Sequence, residues 1–177
     1  FASAFASNVA NALDGDMSFS ALTLDLPAYD LIAQRMNPVD PDAIIDTMKF
    51  VRKSLAEQFK TEFMNIYHET QAPTGEAYDV IPAQVGRRAL HNSALSYLAT
   101  LKTPEVTAMC RQQYDTATNM TERLQALTII SNGDDKLNAA VTRHDFYERF
   151  KNDTNVVDTW LRVSASAKTS TPVAQAQ

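Results

Sequence analysis

The sequence predicts an all-α fold, an irregular helical bundle or α-solenoid of about eight helices, with one long amphipathic helix near residues 40–69. Three observations carry this. Apolar residues recur at steps of three and four along most of the chain. The 177 residues hold only 4 Gly and 7 Pro, too few for the closely spaced turns of a sandwich or barrel. Helix-start residues (Asp16, Asp40-Pro41, Thr103-Pro104 and Asn119) stand just before the periodic segments.

The first segment places Phe1, Phe5, Val9 and Leu13 on one helical stripe. It opens without a cap and begins with Phe rather than Met, so the chain is read as cut from something larger. Asp16 caps a short helix over about residues 17–25. Pro27 suits the first turn of another, 28–36, which Asn37-Pro38 breaks. Asp40 and Pro41 then start the long helix, whose stripe runs Ile44, Ile45, Met48, Val51, Leu55, Phe59, Phe63, Ile66 and Tyr67. About 28 residues give it a length of about 42 Å.

Residues 70–80 contain Pro73 and Gly75 and read as a loop. Pro82 opens a helix over about 82–102, with Val85, Ala89, Leu90, Ala94, Tyr97, Leu98 and Leu101 on one side. Thr103 and Pro104 restart the chain, and Val106, Met109, Cys110 and Tyr114 form the next stripe. Asn119 and Glu122 have capping-box spacing ahead of Leu124, Leu127 and Ile130, and Asn132-Gly133 ends that helix. Leu137, Val141, Phe146, Tyr147 and Phe150 continue the pattern, and Val156, Val157, Trp160, Leu161 and Val163 close it. The expected organisation is residues 1–15 as the end of a preceding helix, 16–163 as a helical domain, and 164–177 as a frayed polar tail leading into further helices. No clean internal repeat is present, so a strict repeat family is not supported.

Composition excludes several function classes. The net charge of −5 disfavours nucleic acid and anionic membrane as partners. No apolar run approaches the roughly 20 residues a spanning helix needs. No basic, apolar leader opens the chain, and the single Cys110 cannot close an internal disulfide, so a reducing, cytoplasmic compartment is expected.

Candidate chemistry is sparse. His68-Glu69 begins a zinc-peptidase H-E-x-x-H helix, but the fifth position is Ala72, so the second ligand is missing and His68 reads as a helix C-terminal residue. His144 and Glu148, four apart, are too few ligands for a stable site. His91, beside Arg87, Arg88 and Asn92, suits a surface or helix-packing role. Cys110 lies on an apolar stripe and reads as a buried, inert thiol. The Gly at 15, 75, 86 and 133 cannot form a phosphate loop. Asn119 and Asn152 stand in glycosylation sequons, though Asn119 is better used as a cap. No catalytic, cofactor-binding or metal residue is assigned.

Two stretches carry a family likeness: Arg87–Ala99 (RRALHNSALSYLA) and Ala117–Leu127 (ATNMTERLQAL). Phe146-Tyr147 with Phe150, and Val156-Val157-Asp158-Thr159-Trp160, follow in the same order. Over roughly residues 16–170 the chain resembles the C-terminal helical domain of the M1 family of zinc aminopeptidases, in its aminopeptidase N branch. Thr159 and Leu161 depart from the Lys and Phe often found there. The resemblance implies a parent enzyme that removes N-terminal residues from peptides, with its zinc, H-E-x-x-H helix and catalytic Tyr in an earlier domain. It implies a helical domain, inactive alone, that encloses and gates the active-site cavity. The implied partners are the catalytic domain, the remaining C-terminal helices and, in the parent, peptides. Under it, Phe1, Phe5 and Trp160 would be exposed surfaces awaiting the missing parts. The competing reading is a stand-alone α-helical interaction module.

Overall fold

The computed structural model describes residues 2–167, and these form ten α-helices and one 3-10 turn, with no strand among them. They divide into two compact units, one ending at Leu101 and one starting at Lys102.

The first unit holds α1 (Ala2–Ala10), α2 (Met17–Thr23), α3 (Tyr29–Ala33), α4 (Pro41–Gln58), α5 (Lys60–Glu69), α6 (Pro82–Leu98) and a 3-10 turn over Ala99–Leu101. Here α6 is the central element: α2, α4 and α5 all pack on it. Asp16 accepts from Ser18 N at 2.8 Å, and Asp40 accepts from Ala43 N at 3.0 Å, so both expected caps form. Pro27 lies outside α3, whose N-cap is Ala28, so that helix is shorter than expected.

The expected long helix is two helices. Phe59, at φ −112° and ψ 29°, ends α4 and starts α5. Neither Pro nor Gly stands near it, so the break comes from packing rather than local propensity. The Phe59 ring is buried 5.8 Å from Phe5 of α1, and Phe63, one turn on, stacks on Tyr97 of α6 at 4.6 Å. Phe5 is therefore core, only 3 % exposed, and not a surface awaiting a partner; Phe1 lies outside the described residues. The apolar residues that do face water in this unit are others, among them Phe19, Leu22 and Phe50. Lys102, with φ 54°, stops the turn that follows α6. Pro104 then holds Thr103 extended, so the helix cannot run on.

The second unit holds α7 (Pro104–Thr116), α8 (Met120–Ser131), α9 (Lys136–Phe150) and α10 (Thr154–Ser166). Successive helices pack on one another, and α10 also reaches α8. Thr103, Asn119, Asp135 and Asp153 each cap the following helix through a side-chain oxygen. The α7 stripe of Val106, Met109, Cys110 and Tyr114 is buried as expected. That of α9 is not: Leu137 and Val141 face solvent, and the buried face is Ala139, Thr142, Arg143 and Phe146. Trp160 is half-buried, with its indole N–H donated to Arg143 O at 2.8 Å. The expected frayed tail starts too early, because α10 continues to Ser166 and Ser164 is fully buried; residues 168–177 lie outside those described.

Candidate functional site

The residues that could ligate a metal are spread over different helices. His68 is exposed near the end of α5, and His144 and Glu148 are exposed on α9. Glu148 is held by Lys151 at 2.7 Å, which keeps its carboxyl below the usual range. No group of three or more His, Cys, Asp or Glu among the described residues is placed to hold a metal ion. The donor set on these helices does not fit the three or four ligands of a zinc centre. Burial pushes the Cys110 thiol up to about 12, so it is protonated and unreactive at neutral pH.

His91 has the helix-packing role. It is buried on α6, with its ring stacked on Tyr67 at 4.2 Å. Its Nδ1 lies 3.1 Å from Tyr67 O and 3.0 Å from Thr70 Oγ1. A carbonyl only accepts, so Nδ1 carries a hydrogen in this arrangement. Thr70 in turn donates to Ile66 O at 2.6 Å, which seals the C-terminus of α5 against α6.

Two further polar residues of α6, Gln84 and Arg88, fasten the loop that precedes it. Gln84 donates to Ala77 O at 3.0 Å and accepts from Asp79 N at 2.8 Å. Arg88 donates to Gln84 Oε1 at 3.1 Å and Asp79 O at 2.9 Å, and lies 4.8 Å from the centre of the Tyr78 ring. Arg87 forks onto Glu76, whose carboxyl that bond holds below its ordinary range. Sequence reasoning missed this network. Its trace was there: Gln84, Arg88 and His91 recur at steps of four and three on the side of α6 that turns out to be buried.

The core of the first unit closes around Tyr97, which donates to Leu24 O at 2.5 Å and lies under the Arg52 guanidinium at 4.9 Å. Burial pushes this phenol up to about 12. A shallow groove of about 280 Å³ between α1 and α5 is lined by Val9, Leu13, Glu62 and Ile66 among others. Glu62 is its one acidic side chain, too little to define a ligand.

In the second unit Tyr114 donates to Asp145 at 2.7 Å, and three guanidiniums, of Arg111, Arg123 and Arg149, lie within 5.7 Å of its ring centre. Burial, then the bond to Asp145, pushes the phenol up. Burial works against the Asp145 charge, but the Tyr114 and Arg149 donors outweigh it and hold that carboxyl below its ordinary range. Arg111 pairs with Asp115 at 2.9 Å, Arg149 pairs with Asp145 at 2.8 Å, and Arg123 caps the end of α7 at Tyr114 O and Ala117 O. The cations are thus engaged within the unit, and the cluster binds helix to helix.

The chain matches, over residues 1–177, a family described as a domain of unknown function, DUF3458_C, with ARM repeats. Aminopeptidase N of Haemophilus influenzae is 28% identical over 160 residues, 90% of this chain and 18% of that protein. Aminopeptidase N of Escherichia coli K12 is 29% identical over 113 residues, 64% of this chain and 13% of that protein. This chain thus spans less than a fifth of the curated relatives it matches. A crystal structure of Legionella pneumophila aminopeptidase A in complex with aspartic acid superposes with a TM-score of 0.80. That match covers 97% of this chain and 21% of the other at 22% identity, and it shows the shared fold. The ARM-repeat description corrects the expectation that no strict repeat family applies. Stacked helix pairs need only bury a face against their neighbours, and different residues can fill it in each pair. The chain belongs to the DUF3458_C family of ARM-repeat domains, and the resemblance of Arg87–Ala99 and Ala117–Leu127 to the helical domain of M1 aminopeptidases holds across it.

Proposed function

We propose that the chain is the non-catalytic C-terminal helical domain of an M1 zinc aminopeptidase, and that it encloses and gates the cavity where peptides lose their N-terminal residues. The observation that carries this is the match to aminopeptidase N over 160 residues, nine-tenths of the chain. The placement of His68, His144 and Cys110 agrees with a wall rather than a reactive centre. In this reading zinc supplies an activated water in the parent's catalytic domain, and no residue of this chain holds it. The helices α1 to α10, rather than residues 16–163 alone, form the body of the domain, because Phe5 of α1 and Ser164 of α10 are buried. Phe19, Leu22 and Phe50, rather than Phe5 and Trp160, face the catalytic domain or the remaining helices. The cytoplasm is the proposed compartment, in keeping with a lone buried cysteine. The stand-alone interaction module is not favoured.

The test is zinc analysis and alanyl-arylamide hydrolysis by the full-length gene product, with this chain alone beside it. The full-length product is expected to hold zinc and to hydrolyse the arylamide, while the chain alone does neither. A full-length product without a catalytic domain would overturn the proposal. So would chelator-sensitive turnover by the purified chain.

A further inference from the structure

The end of α8 carries a reactive dipeptide that the helix cap holds shut. Asn132 is the one asparagine of the chain followed by glycine. The fold itself asks for that glycine, because a Cβ at position 133 would press on Ile130 O at 3.1 Å. The same lack of a side chain leaves the Gly133 nitrogen uncrowded, and so able to reach the side-chain carbonyl carbon of Asn132 once the chain is loose. In the folded unit the groups such an attack needs are engaged elsewhere. The Gly133 N–H donates to Ile130 O at 3.0 Å, and Asn132 Nδ2 donates to Thr128 O at 2.9 Å. The Asn132 N–H donates to Thr128 O and Ile129 O, both at 3.2 Å, and Lys136 donates to Gly133 O at 2.9 Å.

Backbone torsion adds to the restraint. Asn132 has ψ 0°, which eclipses its own nitrogen with that of Gly133. A five-membered ring closes only when Cβ eclipses the Gly133 nitrogen, and Cβ stands one tetrahedral step away about the Cα–C bond. Turning the chain through that step swings Gly133 N off Ile130 O, so the cap must open before the ring can close. Helix ends are where such opening costs least. Water is at hand, since Asp134, Asp135 and Lys136 just beyond the cap are all exposed.

We propose that Asn132-Gly133 is a self-modification site gated by the C-cap of α8, where opening of the cap allows one-way conversion of the asparagine to aspartate or isoaspartate. The Gly133 nitrogen bonds to Asn132 Cγ, the Cγ–Nδ2 bond breaks, and ammonia leaves with the proton from Gly133 N. Water then opens the cyclic imide at either carbonyl. The net change is amide plus water to carboxylate plus ammonia, with nothing oxidised or reduced. The cap cannot re-form afterwards. Its donor to Thr128 O is gone, and a carboxylate stands at the negative end of α8, close in sequence to Asp134 and Asp135. The isoaspartate route also inserts a methylene into the main chain between α8 and α9. The proposal goes beyond the aminopeptidase reading and does not depend on it.

The test follows conversion at Asn132 by peptide mapping of the full chain, folded and in urea, at one pH and temperature. The peptide's mass gain from amide to acid is expected to appear in urea, and to appear at least about tenfold more slowly in the folded chain. Equal rates in the two states would overturn the gating, and an unmodified Asn132 in urea would overturn the site. The one-way character is read from amide hydrogen exchange at Gly133 in two ¹⁵N-labelled variants. Asn132→Ala loses only the bond to Thr128 O, whereas Asn132→Asp also gains the charge. Gly133 is expected to exchange several-fold faster in Asn132→Asp at neutral pH, and the difference is expected to vanish as pH falls through the carboxylate range. Equal exchange in the two variants at neutral pH would show that the cap re-forms and would overturn the proposal.

Discussion

Gly86 of α6 lies against Ser18 of α2 so closely that a Cβ at position 86 would meet Ser18 N and Ser18 Oγ at 2.8 Å. The two helices approach at a point where only hydrogen fits. In the sequence Gly86 is an isolated glycine inside a helical pattern, which costs about 1 kcal/mol against alanine when nothing offsets it. Here the offset is the close packing of α2 on α6.

Gly86→Ala is therefore expected to destabilise the chain, although alanine is the better helix former. Overpacking of this kind costs about 1–3 kcal/mol. Ser18→Ala in the same chain removes only the Oγ contact, and the backbone nitrogen remains, so rescue is expected to be partial. The urea midpoint measures both, and a midpoint unchanged by Gly86→Ala would show that α2 moves away freely.

Tyr97→Phe tests the hydrogen bond that ties α6 to the fully buried Leu24. Removing the hydroxyl leaves Leu24 O without this donor, at a cost of about 1–3 kcal/mol. The ring contacts with Phe5 and Phe63 remain, so the near-ultraviolet circular dichroism of the aromatic cluster is expected to persist. Loss of that signal would mean the hydroxyl, and not the ring, positions the helix.

Alkaline pH is expected to destabilise the chain through two buried groups. Tyr97 and Cys110 are both pushed up to about 12 by burial. A raised pKa means the folded state keeps a proton that the unfolded state releases. The stability is thus fully present below the unfolded values and is lost as pH climbs through the window up to about 12. Each group contributes a loss of about 1.4 kcal/mol per pH unit within its window. Denaturation midpoints across that range check this, and Tyr97→Phe should flatten the slope.

Asn119 answers a question about caps that composition alone would answer wrongly. Its Oδ1 accepts from Glu122 N at 3.0 Å, while its Nδ2 donates to Glu122 Oε2 at 2.8 Å. Asn119→Ala is expected to cost about 1 kcal/mol, as for other N-caps. Asn119→Asp, ordinarily an equal cap, would set two carboxylates face to face. It is expected to destabilise at neutral pH and to recover as pH falls through the carboxylate range. A neutral-pH stability equal to the parent chain would show that Glu122 swings away.

The starts of most helices were legible in the sequence. Asp16, Asp40, Thr103 and Asn119 each cap through a side-chain oxygen as their spacing predicts, because a cap involves only a residue and the two or three after it. The end of α8 at Asn132-Gly133 is local in the same way. The family likeness was legible too, since it rests on short motifs in order. The metal question could be framed from spacing, as at His68 and Ala72, but the fastening of the loop before α6 could not. It depends on Gln84 lying opposite residues 77 and 79, which only the folded loop brings about.

Sequence by itself thus determined that this chain is helical, where its helices begin, and which family it resembles. Tertiary structure alone decided that the long helix turns at Phe59, that Phe5 is core while Leu137 is not, and that Arg88, His91 and Thr142 are buried. The division has a physical cause. Caps and periodicity are satisfied within one or two turns of the same helix, so the residues that satisfy them stand side by side in the chain. Which face is buried, and whether a polar group can be buried with it, depends on partners contributed by other helices. Those partners meet only when the chain has folded.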